Sequence, residues 1–213
     1  EDLVTSALED MEPELVELYD EGDVEGVRYQ YGKLKIRITA YGYALKRFTT
    51  EETLGEYTID PLSYTLVTKG VVLYMPLLRF NPDDSLDWEA RAKGYHAAEH
   101  VLISAAEIAI GAAKTDLGGI SYPDGVVVIY DSHVGGNGTS RLLLKHFKKV
   151  SEVALKIVKS CDCVDGCPKC VYSPYCGNNN KMLSRRNAIR ILESLRRGGP
   201  QVAREIPKLG GIV

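Results

Sequence analysis

The chain has 213 residues, 45% of them hydrophobic and 26% charged, with a formal net charge of −3, which excludes wholesale disorder and a collagen-like repeat. No apolar run approaches the roughly 20 residues that a membrane span needs, and no basic-then-apolar leader is visible, so the sequence predicts no membrane partner. Residues 1–106 hold 20 acidic and 10 basic side chains, whereas residues 107–213 hold 9 acidic and 16 basic ones. The second half is therefore basic, which indicates either that it binds a polyanion or that it has an ordinary solvated surface.

The first half of the sequence predicts an acidic lead-in followed by strands. Residues 1–25 contain 11 acidic side chains and no Lys or Arg, and we interpret Glu1–Asp23 as a weakly amphipathic helix or lead-in. Apolar and polar residues alternate from Val27 to Phe48, which predicts strands with a turn at Tyr31–Lys33. A second β stretch covers Thr65–Leu78, and residues 81–85 form a loop by composition. Because the chain opens on Glu1, we expect a piece of a longer protein or a processed one.

The second half predicts helices around one buried strand. Its elements are, in order, a helix at Glu89–Ile110, a loop at Asp116–Gly125, a strand at Val126–Tyr130, a glycine-rich turn, a long helix from Thr139, and a last helix at Arg185–Arg197 capped by Ser184. The long helix has a buried stripe of Leu143, Phe147, Val150, Ala154 and Ile157.

These elements predict an α+β fold with a β-rich front half and a helical back half, built around a central strand–glycine loop–helix unit. We expect an acidic lead-in at residues 1–24, a β-rich subdomain at 25–80, an α/β subdomain at 86–200 with a cysteine-containing loop at 161–180, and a tail at 201–213.

The cysteines carry the strongest chemical signal. All five lie between Cys161 and Cys176, with the spacing C-x-C-x3-C-x2-C-x5-C. Their odd number and tight spacing argue against a disulfide scaffold. Four thiolates on knuckle turns form a closed tetrahedral site, so the pattern predicts structural zinc, with an iron–sulfur cluster or a redox pair as alternatives.

The choice of four ligands rests on spacing. Cys167 and Cys170 are the clearest pair, and Cys163 and Cys176 flank them at workable distances. Cys161 and Cys163 are both candidates, but two ligands one residue apart would strain a tetrahedron, so we leave Cys161 out of the predicted set.

A second candidate metal motif lies on the predicted helix at Glu89–Ile110. His96 and His100 are four residues apart and share a helix face, and Glu99 between them could act as a general base. This is the H-x-x-E-H pattern of inverted zinc peptidases, but no later glutamate lies in a recognisable partner motif. A metal-dependent hydrolase that uses these three residues is the alternative to histidines in a structural or polar contact.

The strand–glycine loop–helix unit is a third candidate site. Glycines at a helix N-terminus let a phosphate approach backbone N–H groups. The segment lacks the Lys-Ser/Thr of a P-loop and the spacing of a dinucleotide-binding turn, so nucleotide hydrolysis is not supported. The alternatives are a tight strand-to-helix connection and a polar site formed by Asp131, His133 and Gly136.

Basic and aromatic residues beside the cysteines suggest contact with single-stranded nucleic acid, by ion pairing and base stacking. A solvated helix face is the competing explanation. The candidate residues are Lys181, Arg185, Arg186, Arg190, Tyr172 and Tyr175.

Taken together, several segments resemble one family. The motifs are His96-x-x-Glu99-His100, Asp116-Leu-Gly-Gly119, Ile129-Tyr130-Asp131 with Gly135-Gly136-x-Gly138, the cysteine block, Ser173-Pro174-x-Cys176-Gly177, Leu183-Ser184 and, in the front half, Ile38-Thr-Ala-Tyr41-Gly42-Tyr43, Glu52-Thr-Leu-Gly55 and Thr68-Lys-Gly70. The chain resembles, over about residues 25–197, the C-terminal zinc-binding domain of MrfA-type superfamily 2 DNA helicases, relatives of the Hrq-type repair helicases.

The resemblance implies an accessory domain of an ATP-driven 3′-to-5′ DNA helicase in DNA repair, located in the prokaryotic cytosol or nucleoid. Such a domain sits against the motor and helps hold the tracking single strand, and zinc is implied at Cys163, Cys167, Cys170 and Cys176. The chain has no Walker A sequence and no D-E-x-H box, so ATP and Mg²⁺ belong to a motor outside it. We expect this chain alone neither to hydrolyse ATP nor to unwind DNA. A purely structural docking module is a further alternative.

Overall fold

The computed structural model describes residues 2–196, and three long antiparallel strands form its first part. They are β1 (Leu3–Val24), β2 (Val27–Arg47) and β3 (Thr53–Tyr74). Of the two interpretations of Glu1–Asp23, a helix or a lead-in, the helix is therefore wrong. The physical reason lies in the partner strand, because acidic residues of β1 face basic residues of β2 in the pairs Glu12–Arg37, Glu14–Lys35 and Glu17–Lys33. Opposite charges across neighbouring strands stabilise the pairing.

The predicted turn at Tyr31–Lys33 is also wrong, because β2 runs through it without interruption. The pairing of β1 with β2 shifts register next to this point, between Leu15 and Glu17. A Cβ on Gly32 would lie 2.0 Å from the Glu17 carbonyl oxygen. The glycine therefore permits close approach of two strands at a bulge.

The second part of the chain, as far as residue 196, supplies two short strands and four helices. They are α1 (Asp84–Ile110), β4 (Leu117–Ser121), β5 (Val126–Asp131), α2 (Thr139–Lys145), α3 (Phe147–Lys159) and α4 (Arg185–Arg196). The buried strand is confirmed, and Ser184 accepts a hydrogen bond from the Asn187 backbone N–H at the start of α4. Arg197 and the predicted tail at 201–213 lie outside the described residues.

Two predictions for the second part are wrong. The loop at Asp116–Gly125 contains β4, whose Gly118 gives a weak strand signal but leaves room for the Tyr130 ring, which a Cβ there would approach to 2.4 Å. The long helix from Thr139 is divided at His146, where the helix α2 ends and the helix α3 begins.

All five strands form a single antiparallel sheet in the order β1-β2-β3-β5-β4. One face packs against the helices in a core that includes Val71, Tyr95, Leu102 and Phe147. The α+β class with a β-rich front and a helical back is thereby confirmed. The predicted boundary at residues 81–85 covers the end of the connection from β3 to α1 and the first two residues of α1. The strand β5 comes after this boundary and pairs with β3 before it, and the division into subdomains stays a prediction.

The other sheet face curls around a second, smaller core. Ile36, Val128 and Tyr130 are buried there. The Tyr130 hydroxyl on β5 lies 3.5 Å from the Met11 sulfur on β1, although β1 stands at the far edge of the sheet. This curvature brings the two edge strands to the sides of one cavity.

Candidate metal centre

The loop between α3 and α4 gathers four cysteine sulfurs. Cys161, Cys163, Cys167 and Cys170 each offer a sulfur, and all four sulfurs lie within 4.8 Å of one another. The Sγ–Sγ distances are 3.4 Å for Cys161–Cys167, 3.5 Å for Cys163–Cys170 and 3.7 Å for Cys167–Cys170. A tetrahedron with Zn–S bonds of about 2.3 Å has edges of about 3.8 Å. The four sulfurs therefore fit a closed zinc site.

Backbone and side-chain hydrogen bonds fix this loop. The Cys167 carbonyl accepts from the N–H groups of Cys170 and Tyr172, which forms the knuckle turn. The guanidinium of Arg185 donates to the Cys163 carbonyl at 2.8 Å and to the Val158 carbonyl at 2.7 Å. The loop is thus tied both to the end of α3 and to the start of α4.

The thiols of the cluster are free and influence one another. All five cysteines of the chain lie within residues 2–196 and none is in a disulfide. A backbone hydrogen bond from Cys163 and a side-chain hydrogen bond with Cys167 lower the pKa of the Cys161 thiol to about 7. Burial raises the pKa of the Cys163 and Cys170 thiols. Because metals bind the thiolate form, metal binding at this cluster would release protons.

The membership of the cluster differs from the predicted set. Cys163, Cys167 and Cys170 lie in it as predicted, but Cys161 takes the place assigned to Cys176. The Gly177 carbonyl accepts from the Glu9 N–H on β1, which holds the Cys176 segment at that strand. The objection to Cys161 does not hold in this geometry, because the sulfurs of Cys161 and Cys163 both lie within 4.8 Å of those of Cys167 and Cys170.

Cys176 lies beside the two predicted histidines instead. One ligand atom from each of His96, His100 and Cys176 falls within a mutual distance of 4.8 Å. The His96 Nε2 is 3.6 Å from the Cys176 sulfur, and the two imidazole rings are 4.4 Å apart. Burial lowers the pKa of His96, and burial together with the neighbouring His96 lowers the pKa of His100 to about 3. Both rings are therefore neutral at pH 7.

These three residues line a cavity of about 790 Å³ between α1, the cysteine loop and the two sheet edges. Glu99 lines it too, and burial raises the pKa of this carboxyl to about 8. Its carboxylate lies against β4, where a Cβ on Gly119 would come within 2.2 Å of it. Glu99 is thus packed against the strand, and the third ligand-type group beside the histidines is a cysteine.

The glycine loop after β5 is a separate feature. The buried Asp131 carboxylate accepts from the N–H groups of Gly138 at 3.0 Å and Ser140 at 2.6 Å, at the start of α2. A Cβ on Gly136 would lie 2.8 Å from that carboxylate. His133 is exposed, and its carbonyl accepts from Thr68. Because a carboxylate already occupies the helix N-terminus, a phosphate would meet a like charge there.

The predicted nucleic-acid residues have different surroundings. Tyr172 and Tyr175 line the cavity and are 37% and 61% exposed. Lys181 pairs with Glu56, and Arg190 lies over the Phe80 ring and donates to the Arg79 carbonyl. Arg185 holds the cysteine loop, and Arg186 is exposed. Their role in binding nucleic acid stays a prediction.

The fold and the sulfur cluster define a zinc-binding module of the α+β class. The sequence model of the MrfA Zn-binding domain matches residues 98–171. The chain is 38% identical over 109 residues to the uncharacterized protein MJ1572.1 of Methanocaldococcus jannaschii, a match that covers 47% of this chain and 97% of that protein. The chain belongs to the family of the MrfA zinc-binding domain.

Two helicases match over shorter stretches. The ATP-dependent helicase HRQ1 of Saccharomyces cerevisiae is 32% identical over 71 residues, which are 32% of this chain and 7% of the yeast protein. The uncharacterized ATP-dependent helicase YprA of Bacillus subtilis is 36% identical over 45 residues, which are 21% of this chain and 6% of that protein. The chain therefore corresponds to a small part of each.

Solved structures share the fold over most of the chain. A crystal structure of the DUF1998 helicase MrfA bound to DNA matches with a TM-score of 0.61 and 18% identity, and the match covers 91% of this chain and 26% of that one. A second crystal structure of the DUF1998 helicase MrfA matches with a TM-score of 0.53 and 17% identity, and the match covers 91% of this chain and 24% of that one. Among the helices of residues 2–196, none has the length and apolarity needed to cross a bilayer.

Proposed function

We propose that this chain is the zinc-binding accessory region of an ATP-dependent 3′-to-5′ DNA helicase that acts in DNA repair. The observation that carries the proposal is the four-cysteine cluster, set in a fold that covers 91% of this chain and recurs in a DNA-bound helicase. The ATP and Mg²⁺ sites would belong to a motor in the remainder of the parent protein, because the chain spans only about a quarter of the MrfA structure. Zinc at the cysteine cluster would fix the loop and take no part in chemistry.

Contact with single-stranded DNA is the first part of the proposed role. Tyr172 and Tyr175 expose their rings beside the cysteine loop, and aromatic rings offer stacking platforms to unpaired bases. Arg186 is exposed one residue after the arginine that anchors the loop, so it can reach a phosphate without disturbing that anchor. These three side chains are the best supported of the predicted set.

Fluorescence anisotropy of the full chain with a labelled single-stranded oligonucleotide tests this contact. We expect the logarithm of the affinity to fall with the logarithm of salt concentration by about 0.7 per phosphate neutralised. Loss of stacking in Tyr172→Ala/Tyr175→Ala should weaken binding roughly tenfold or more, since each stacked base contributes about 1–3 kcal/mol. Arg186→Ala should lower the salt slope.

Arg37→Ala is the matched control, because it removes the same charge from an exposed position on β2. Binding that is indifferent to salt, or an Arg186→Ala variant that behaves like Arg37→Ala, contradicts the DNA contact.

Packing against the motor is the second part. Along β3, Leu54, Tyr57, Ile59, Leu62 and Tyr64 are each at least 42% exposed. Within residues 2–196, β5 pairs with β3 only from Gly70 to Tyr74, and the stretch from Thr53 to Tyr64 has no partner strand on that edge. An exposed apolar strand edge is a natural docking surface and an aggregation risk when left bare.

Co-elution of the full chain with the separately produced motor region of its parent tests the packing. We expect Leu62→Asp to abolish co-elution, because it places a charge in the apolar surface. Leu86→Asp changes an equally large exposed leucine on α1, away from β3, and should co-elute like the wild type. Failure of the wild type to co-elute contradicts the packing, and the DNA contact is judged separately.

A further inference from the structure

The cavity beside the cysteine loop holds three ligand-type side chains that the zinc cluster does not use. They are His96 and His100, one turn apart on α1, and Cys176 from the segment held at β1. His100 and Cys176 are buried and His96 is half-buried. His96 and Cys176 lie outside residues 98–171, where the zinc-binding family matches, so the family match does not account for this grouping.

Hydrogen bonds determine which ring nitrogens are free. The His96 Nδ1 lies 3.1 Å from the Met182 carbonyl oxygen, and the His100 Nδ1 lies 2.7 Å from the Val171 carbonyl oxygen. A carbonyl oxygen only accepts, so each Nδ1 carries the proton and donates it. With the proton on Nδ1, the Nε2 of each ring is the nitrogen that can offer its lone pair to a metal.

This hydrogen-bond pattern is the one found around metal-bound histidines. A ligating imidazole almost always donates its other N–H to a carbonyl or a carboxylate, which fixes the ring orientation and raises its basicity. The His96 Nε2 also points at a sulfur 3.6 Å away, close to the separation of two donors on one tetrahedral ion. Two imidazoles and one thiolate are the donor types that zinc prefers.

We propose that His96, His100 and Cys176 form a second zinc site, distinct from the four-cysteine cluster. Three protein ligands leave one tetrahedral position, and all three ligands line the cavity of about 790 Å³. A water molecule or an external ligand completes the coordination. The Cys176 thiol, which now lies 2.9 Å from the Asn178 side-chain oxygen, loses its proton to solvent when the metal binds.

Zinc counting on the full chain tests the site. Protein purified under reducing conditions and dialysed against metal-free buffer should retain two zinc ions per chain by mass spectrometry. His96→Ala and Cys176→Ser should each retain one. His146→Ala is the matched control, because this exposed histidine belongs to neither cluster, and it should retain two.

Cobalt substitution gives a readout that does not depend on the variants folding. Two equivalents of Co²⁺ added to metal-free wild-type protein should bind, and the sulfur-to-cobalt absorption should correspond to five thiolates. A wild type that retains one zinc, or that saturates at one cobalt with a four-thiolate spectrum, overturns the proposal. Two zinc ions remaining in a folded His96→Ala/Cys176→Ser protein overturn it as well. None of these outcomes depends on DNA binding.

Discussion

Arg185 and Arg186 are neighbours in the sequence, and the structure gives them different tasks. Arg185 is half-buried and donates two hydrogen bonds to carbonyls of Val158 and Cys163, whereas Arg186 is exposed. A hydrogen bond from a charged donor contributes about 1.5–3 kcal/mol. Partial access of water to the site offsets some of this, so we expect Arg185→Ala to lower the free energy of unfolding by about 2–4 kcal/mol.

Urea denaturation of the zinc-loaded chain measures this loss, and thermal unfolding should shift downward by roughly 5–15 °C. Because the same guanidinium holds the loop that carries Cys163, zinc should also pass to a chelator faster from Arg185→Ala than from the wild type. Arg186→Ala should match the wild type in both assays. Equal stability and equal zinc release in the two variants would refute the structural role of Arg185.

Three further predictions concern stability. Asp131→Ala leaves two N–H groups at the start of α2 without their acceptor, so urea denaturation should show a loss of about 2–3 kcal/mol, with a smaller loss in Asp131→Asn. Burial opposes the ionisation of Asp87, but backbone hydrogen bonds from Phe80 and Asn81 and the charge of Arg91 outweigh it and hold the pKa of this carboxyl below 3.8. The stabilisation by Asp87 is therefore present above pH 3.8 and is lost as the pH falls through the folded-state pKa. In an acid titration, the free energy of unfolding of Asp87→Asn should fall less steeply than that of the wild type. Removal of zinc should raise hydrogen exchange in residues 161–180 and leave the centre of β2 protected, and uniform exchange in both regions would contradict a local role for the metal.

Sequence reasoning succeeded where local signals agree with the final environment. The run Val126–Tyr130 is apolar throughout, and the strand is buried on both faces. Ser184 is a good N-cap by type, and its hydroxyl accepts from the first turn of α4. The C-x2-C pair at Cys167 and Cys170 needs only one tight turn, so its spacing alone is sufficient to predict that the two sulfurs lie together.

The sequence was insufficient where a distant partner decides the conformation. Nothing within residues 1–24 shows that basic residues of β2 will face the acidic ones. The segment can therefore be recognised as a strand only once its pairing with β2 is known. The short strand β4 could not be predicted for a similar reason. Its two glycines weaken the strand pattern, and their purpose, to make room for Tyr130 and Glu99, depends on residues elsewhere in the chain. The choice between Cys161 and Cys176 depends on a hydrogen bond between Gly177 and Glu9, which are 168 residues apart.

Distant partners also determine what the basic side chains of the second half of the chain do. Lys181 is paired with Glu56, Arg190 lies on Phe80, and Arg185 is bonded to carbonyls. Half of the six residues predicted to contact nucleic acid therefore make contacts inside the protein. The other three candidates are two exposed tyrosines and one exposed arginine, a set that suits the proposed stacking on a few unpaired bases better than tracking along a duplex.

The two groups of ligand-type residues are joined by one short piece of chain. Val171 follows Cys170 of the four-cysteine cluster, and the Val171 carbonyl accepts the Nδ1 proton of His100. Order at the sulfur cluster thus fixes the carbonyl that sets the tautomer of His100, and with it the nitrogen that faces the cavity. Filling of the four-cysteine site should precede filling of the second one, since the reverse order would require His100 to be oriented by a loop that has not yet formed.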